Sequence, residues 1–485
     1  MNLHFLLIFI STDQFYVRNL SSASDQSDKL IQIENRLVKK FDYVYLMPFL
    51  CALNLIQSFD KTALNFSAVL GIKQDASLSD TEFAWLGSIF YIGYLCFQGP
   101  SAYLIQKLPI HQYLGILIVI WGIVLGFTAM GKNFAQLLAF RFFLGVFEAG
   151  VFPCTVMLIS RFYRRQEQAA RIGFIYVFAG IAMSTGGILT FGIGHMNGVM
   201  GLKSWQWVMI ILGCITVVFG ATCFFFMISD PVCIATTPNE FIVIESRSND
   251  NYVFVTQKIK LEHILEALTE WRYYCYMFFS FLVSLQSGAL GVFSSIITKG
   301  FGFSDLNAIL LSMPSGFVNS CCIFIALLSQ QRLKNSALHY SACASLFISA
   351  LGLVLLLVIP LPQAKLAGLY LCYASVVAVI MITASVTNNV SGYTKKIFYN
   401  ISIVIFATLG SFTGPHLMRE DQKPLYIGGL VTYIVADLLS IVLLLVARRD
   451  MFKKNKTRLL HQLQKDDDEQ LDMTDKQDES FIYRL

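Results

Sequence analysis

Charge is scarce in this chain, and so are paired cysteines and clustered histidines. Only 14% of the 485 residues are Asp, Glu, Lys or Arg, 55% are hydrophobic, and the mean hydropathy is +0.61. A water-soluble globule of this length is excluded, because it would leave too much apolar surface uncovered. The eleven cysteines form no CxxC pair and no His/Cys group at ligand spacing. Neither a disulfide framework nor a metal site is therefore expected, and buried cysteines are read as small packing residues. Clustered histidines and paired carboxylates are missing too, which argues against an enzyme, and no cofactor is implied. Gly126-Phe-Thr-Ala-Met-Gly-Lys132 follows a phosphate loop up to its lysine, but Asn133 replaces the hydroxyl residue that would hold magnesium. The stretch also closes an apolar helix, so an ATP-driven pump is disfavoured. A net charge of +5 gives no reason to expect nucleic acid as a partner. Leu3 to Ile10 is apolar but too short to cross a bilayer and has no basic flank or small-residue cleavage site, so a cleaved signal peptide is not expected.

What the chain has instead is long apolar runs, each about 20 residues or more, the length that crosses a hydrocarbon core. They cover 44–66, 84–105, 112–130, 135–159, 172–194 and 206–228, then 273–296, 308–330, 338–359, 366–388, 397–417 and 424–446. The alternation of a membrane β-barrel is absent, and isolated spans must satisfy their own backbone hydrogen bonds. The reading is an all-α polytopic membrane protein with twelve transmembrane helices in two six-helix bundles. Its parts are an amino-terminal segment (1–43), a first bundle (44–228), a central loop (229–271), a second bundle (272–446) and a disordered tail (447–485). Within the central loop, Leu261, Ile264, Leu265 and Leu268 share one face of an amphipathic helix. Basic residues gather at Arg36, Lys39 and Lys40, at Arg161 to Arg171, at Arg332 to Lys334, at Lys395 and Lys396, and at Arg448 to Lys454. With twelve spans these fall on one side, which places both termini in the cytosol.

Charges inside spans are costly and so point to a cavity, a partner or a transport path. Arg141, Gly145 and Glu148 sit at i, i+4 and i+7 and share a helix face, with roughly 10 Å between the two charges. The glycine leaves room for something to approach the backbone. Asn54, Gln57, Lys61 and Asn65 form a polar stripe on the first span. That stripe either lines a cavity, with Lys61 attracting a carboxylate, or pairs Lys61 with an acid nearby. Asp60 points elsewhere and either carries a coupled proton or braces a neighbouring helix. A mid-span Glu148 is a candidate proton carrier, or one half of a structural ion pair. Gln286 and Asn388 are uncharged candidates for solute hydrogen bonds. Arg164, Arg165, Glu167 and Arg171 are placed to form a cytoplasmic gate, or to serve as an ordinary basic anchor.

Several motifs carry a family resemblance. Trp85-Leu-Gly-Ser-Ile-Phe-Tyr-Ile-Gly-Tyr94, Gln98 to Lys107, Arg141 to Gly150 with Pro153, and Phe162-Tyr-Arg-Arg-Gln-Glu-Gln-Ala-Ala-Arg171 resemble fungal major facilitator permeases of the anion:cation symporter group, in the allantoate permease branch. Phe59 to Asn65, Lys299 to Phe303, Met313 to Gly316 and Asn389 to Lys396 fit the same branch, so the resemblance runs from about residue 36 to 450. It implies two six-helix bundles around a central cavity and proton-coupled import of a small organic anion or amide by alternating access, as a monomer in the plasma membrane. From their places in the spans, Lys61, Asn65, Arg141, Gln286 and Asn388 are the candidates for binding the solute, and Asp60 and Glu148 those for coupling the proton. There are departures: Gln replaces an expected Asp in Ser329 to Asn335, and Cys154 follows Pro153 where the branch has Gly. These keep alive an alternative, a nutrient sensor on the same fold. Isolated charges, rather than rings, disfavour a channel.

Overall fold

The computed structural model describes residues 26–250, 260–332, 338–423, 426–461, 474–478 and 481–484. Helix α1 (Gln26–Lys40) leads through a short π-helical turn, Phe41–Tyr45, into α2 (Met47–Val69), which opens on Pro48. Proline suits a first helical turn, where its missing N–H is not needed. The first half continues with α3 (Asp80–Lys107), α4 (Ile110–Thr128), α5 (Phe134–Glu148), α6 (Val151–Phe162), α7 (Arg165–Gly194) and α8 (Ser204–Phe226). A reciprocal capping box starts α3: Glu82 N–H donates to Ser79 Oγ at 3.2 Å and Ser79 N–H to Glu82 Oε2 at 2.9 Å. The fourth span is broken between α5 and α6, where Pro153 has no N–H for the Ala149 carbonyl.

Between the halves lie α9 (Pro238–Asp250) and the amphipathic α10 (Leu261–Thr269). The second half comprises α11 (Trp271–Gly300), the broken pair α12 (Asp305–Leu310) and α13 (Met313–Arg332), and α14 (Leu338–Val358). A second broken pair follows, α15 (Pro362–Cys372) and α16 (Ser375–Asn389), then α17 (Tyr393–Thr413) and α18 (Ile427–His461). Counting each broken pair as one gives twelve spans. Ten are apolar enough to be recognised as membrane spans by hydropathy and length; α2 and α3, at 23 and 28 residues, complete the set. Ile116, Phe127, Val218, Phe225 and Phe347 are exposed on the outside, where lipid would cover them, and Trp121, Tyr276 and Tyr399 fill the interior.

Two stretches differ from the sequence reading. The polar composition of residues 11–40 leads to the expectation of a loose segment, but 26–40 form a helix, with Leu37 and Val38 buried against the bundle. The expected disordered tail is partly ordered. Helix α18 runs on to His461, and Thr474 to Asp478 and Phe481 to Arg484 fold back onto the second half.

The halves meet most closely at the end opposite the termini. There Asn65 Nδ2 donates to Ser294 Oγ at 2.7 Å, and Ser295 N–H returns a bond to Asn65 Oδ1 at 3.0 Å. Ser88 Oγ donates to the Phe412 carbonyl at 2.7 Å, and the Trp85 ring meets His416 at 4.8 Å. Helices α7 and α13 pack backbone to backbone at Gly180 and Gly316, where a Cβ on either would strike the other's carbonyl. At the terminus end, the described ion pairs stay within one half or involve α1, α9, α10 or the tail.

Candidate functional site

The polar stripe on α2 and the charged face of α5 converge. Glu148 is fully buried at the end of α5, and its Oε1 lies 3.0 Å from Lys61 Nζ. Gln57 Nε2, one turn before Lys61, donates to the same oxygen at 2.6 Å. The other oxygen, Oε2, is buried with no hydrogen-bond partner. Lys61 is the open member: its side chain is 50% exposed while that of Glu148 is sealed. Tyr91, Tyr94 and Tyr176 lie within electrostatic range of its ammonium. A recess lined by Leu50, Asn54, Gln57, Thr155, Ile172 and Tyr176 lies on the terminus side of this group and touches it at Gln57.

Behind it lie two further opposite charges, not in direct contact. Trp121 Nε1 of α4 donates to Asp60 Oδ2 at 2.7 Å, and Asp60 and Arg141 face each other electrostatically. Arg141 is 4% exposed, and its Nε and one Nη have no hydrogen-bond partner. Lys61, Arg141, Asp60 and Glu148 together carry two positive and two negative charges. Neutralisation inside the bundle is what makes such a group tolerable in a low-dielectric interior.

Other expectations change. Gly145 does leave room, but what approaches is the Phe90 carbonyl of α3; Gly93 meets the Phe142 carbonyl in the same way. Asn65 spends both polar ends on Ser294 and Ser295 and joins the halves rather than facing the recess. Gln286 is buried inside the second half, donating to Ser349 Oγ at 3.0 Å and the Cys372 carbonyl at 3.1 Å. Asn388 is exposed at the end of α16, while its neighbour Asn389 binds the backbone of Arg484. None of the three is brought to Lys61. Arg141 is brought near but faces Asp60 rather than the recess.

The basic residues after α6 act within the first half. Arg164 Nη2 is 3.1 Å from Glu34 of α1, and Arg247 of α9 reaches both Glu34 and Glu167 at 2.5 Å. Arg171 meets Asp42 at 3.2 Å, and Tyr163 Oη donates to the same carboxylate at 2.7 Å. Burial pushes the Asp42 carboxyl up, against the pull of Arg171. The Arg165 side chain lies outside the described residues.

A matching group closes the second half, and the sequence reading missed it. Lys395, at the start of α17, holds Glu266 at 2.7 Å, Glu270 at 2.5 Å and Asp475 of the tail at 2.8 Å. Arg272 reaches Asp475 at 2.7 Å and Glu270 at 2.9 Å. Both halves thus pair an acid just before their first span (Asp42, Glu270) with a cation at the start of their fifth (Arg171, Lys395). Only a weak signal pointed there, the basic Lys395-Lys396 facing acids in α10. Glu266, Glu270 and Asp475 could be mistaken for a metal site, but the Lys395 ammonium already occupies their centre.

Comparison with known proteins agrees with this architecture. The family model described as Major Facilitator Superfamily matches residues 50–415. The thiamine pathway transporter of Saccharomyces cerevisiae is 31% identical over 93% of this chain and 87% of its own length. The allantoate permease of the same yeast is 26% identical over 93% and 86%. An uncharacterized transporter of Schizosaccharomyces pombe is 30% identical over 93% and 86%. Among solved structures, a bacterial homolog of the human lysosomal transporter Spinster, inward-facing and occupied, superposes with a TM-score of 0.61 at 15% identity, over 83% of this chain and 96% of that one. This chain belongs to the Major Facilitator Superfamily and is a multi-pass membrane transporter, not an enzyme.

Proposed function

We propose that the protein is a proton-coupled symporter that carries a small organic anion or amide, such as allantoate, ureidosuccinate or a related carboxylate, by alternating access. The observation that carries this reading is the half-exposed Lys61 side chain, its ammonium beside the sealed Glu148 carboxylate. While Glu148 is ionised it occupies Lys61. Once Glu148 takes a proton, the ammonium is free to bind a carboxylate arriving through the recess. Proton and anion then bind together, and neither binds well alone. That is the requirement for symport, since a ligand shifts an equilibrium only by its differential affinity for the two states. Arg141 and Asp60 supply the opposite charges behind the exchange.

Relatives support the solute class only in outline: one is named an allantoate permease and another a thiamine pathway transporter. The sensor alternative gains nothing from them. The basic residues of the terminus end favour cytosolic termini; the plasma membrane and a monomeric state belong to the proposal on the family resemblance alone. Uptake of a panel of labelled carboxylates and amides into cells lacking related permeases tests the proposal. One compound should accumulate with this chain and cease to do so with a protonophore. Accumulation indifferent to the proton gradient would reject the coupling, and uptake of no anion or amide would reject the solute class.

A further inference from the structure

The end opposite the termini is fastened by a group that the solute and proton reading does not use. Asp80, the first residue of α3, is 1% exposed. Lys73, from the segment between α2 and α3, pairs with its Oδ1. Lys423, from the segment between α17 and α18, lies 2.5 Å from Oδ2, and Tyr426 donates to that oxygen at 3.2 Å. Asp80 and Lys73 belong to the first half, and Lys423 and Tyr426 to the second. The ion pair therefore joins the halves, above the packing of Phe83 on Phe293 and of Phe293 on Tyr426. Val292 lies beneath it, pressed against Gly87 across the same seam.

Separating the halves here has an asymmetric cost. Lys423 is 43% exposed and also touches Glu420 at 3.1 Å, so it loses little by leaving. Asp80 is buried, and it would keep only Lys73 and lose both donors from the other half. A buried charge stripped of a partner is destabilised far more than an exposed one. The closed arrangement is therefore held chiefly through Asp80.

We propose that Asp80 is the lock of this mouth: the two halves part at the end opposite the termini only when Lys423 leaves its carboxylate. The proposal rests on the alternating-access reading, but its test needs no solute and so can fail separately. Val292→Cys reports the seam, and Asn54→Cys reports the recess that opens from the terminus end. Each is labelled with a polar maleimide in purified protein in nanodiscs, and the rate is read on the peptide by mass spectrometry, apart from the native cysteines. Asp80→Asn and Lys423→Gln should each speed labelling at position 292 by about fivefold or more and slow it at position 54, because one population is exchanged for another. The double replacement should be no faster than the faster single one, since both remove the same bond. Unchanged labelling at 292 in both variants would overturn the proposal, as would faster labelling at both positions, which signals mere loosening. Lys423→Gln alters a half-exposed surface side chain, so the test survives if Asp80→Asn fails to fold.

Discussion

Lys61 and Glu148 face each other at 3.0 Å across the gap between α2 and α5, the first side chain half-exposed and the other sealed. The exposure of the two partners differs by design of the packing. Gly93 and Gly145 let α3 and α5 touch backbone to backbone, which closes the space around Glu148. Gln57, which lines the recess, shares the Glu148 Oε1 with Lys61.

Replacing Glu148 with Gln keeps the shape and leaves Lys61 permanently unpaired by charge. Anion binding should persist while its dependence on protons disappears. Uptake should become flat from about pH 5 to about pH 8, and accumulation against a gradient should fall by about tenfold or more. Exchange of internal for external solute should continue. Initial rates and counterflow in proteoliposomes check both, and a bell-shaped or sloping pH profile in Glu148→Gln would remove the carboxyl from the coupling.

Lys61→Gln should act differently. It removes the half-exposed cation while Gln57 still donates to Glu148, so the fold is kept and anion affinity is lost by about tenfold or more, on the order of 1.4 kcal/mol. Lys61→Arg should retain part of the binding. Direct binding by scintillation proximity measures this without requiring turnover; equal affinity in Lys61→Gln and the parent would contradict the role.

Gly145→Val places a branched side chain against the Phe90 carbonyl. A backbone oxygen cannot move aside as a side chain can, so the helices must separate, at a cost of about 1–3 kcal/mol. Thermal unfolding of the purified protein should start several degrees lower. Gly126→Val, at a glycine with open space around it, serves as the control.

The docked tail predicts a pH dependence. Burial opposes ionisation of Asp475, but Arg272 and Lys395 outweigh it and pull the carboxyl down to about 2 from its usual 3.8. A carboxyl depressed in the folded state stabilises at every pH above its unfolded value. That contribution, about 2 kcal/mol, is lost as pH falls from about 4 towards 2. Asp475→Asn should remove it at neutral pH, where the tail around Tyr483 should exchange amide hydrogens faster than in the parent. Unaltered exchange would show that the backbone bonds from Asn455 and Asn389 suffice to hold it.

The spans could be read from the sequence because membrane thickness sets both their length and their hydropathy, and that signal needs no knowledge of neighbours. Even α2, interrupted by Asp60 and Lys61, is one continuous helix over Met47–Val69. Which neighbour a polar residue faces is a tertiary fact, and helical spacing carries none of it. Asn65 shares a stripe with Gln57 and Lys61, yet three turns of helix beyond Asn54 it has left the recess and reached α11. Gln286 looked like a solute ligand for the same reason and instead satisfies buried groups of its own half. The tail misled through composition: acidic and polar residues suggest disorder, but Asp475 finds two cations that only the folded bundle assembles.

The two halves repeat one device, and that allows a comparison. In the first, Asp42 and Arg171 are buried together with Tyr163 as the only other described donor to the acid. In the second, Glu270 has Lys395, Arg272 and Tyr399. Removing one member of a buried pair leaves the other uncompensated, which costs about 3–5 kcal/mol, whereas removing both relieves that penalty. Asp42→Asn and Arg171→Gln should therefore each destabilise strongly, and the double variant should lie nearer the parent than either single one. Glu270→Gln should be milder than Arg171→Gln, since Lys395 keeps Asp475 and Glu266 as partners. Thermal unfolding of the four variants and the parent in one detergent measures the cycle, and strict additivity between Asp42 and Arg171 would show that their contact contributes nothing of its own.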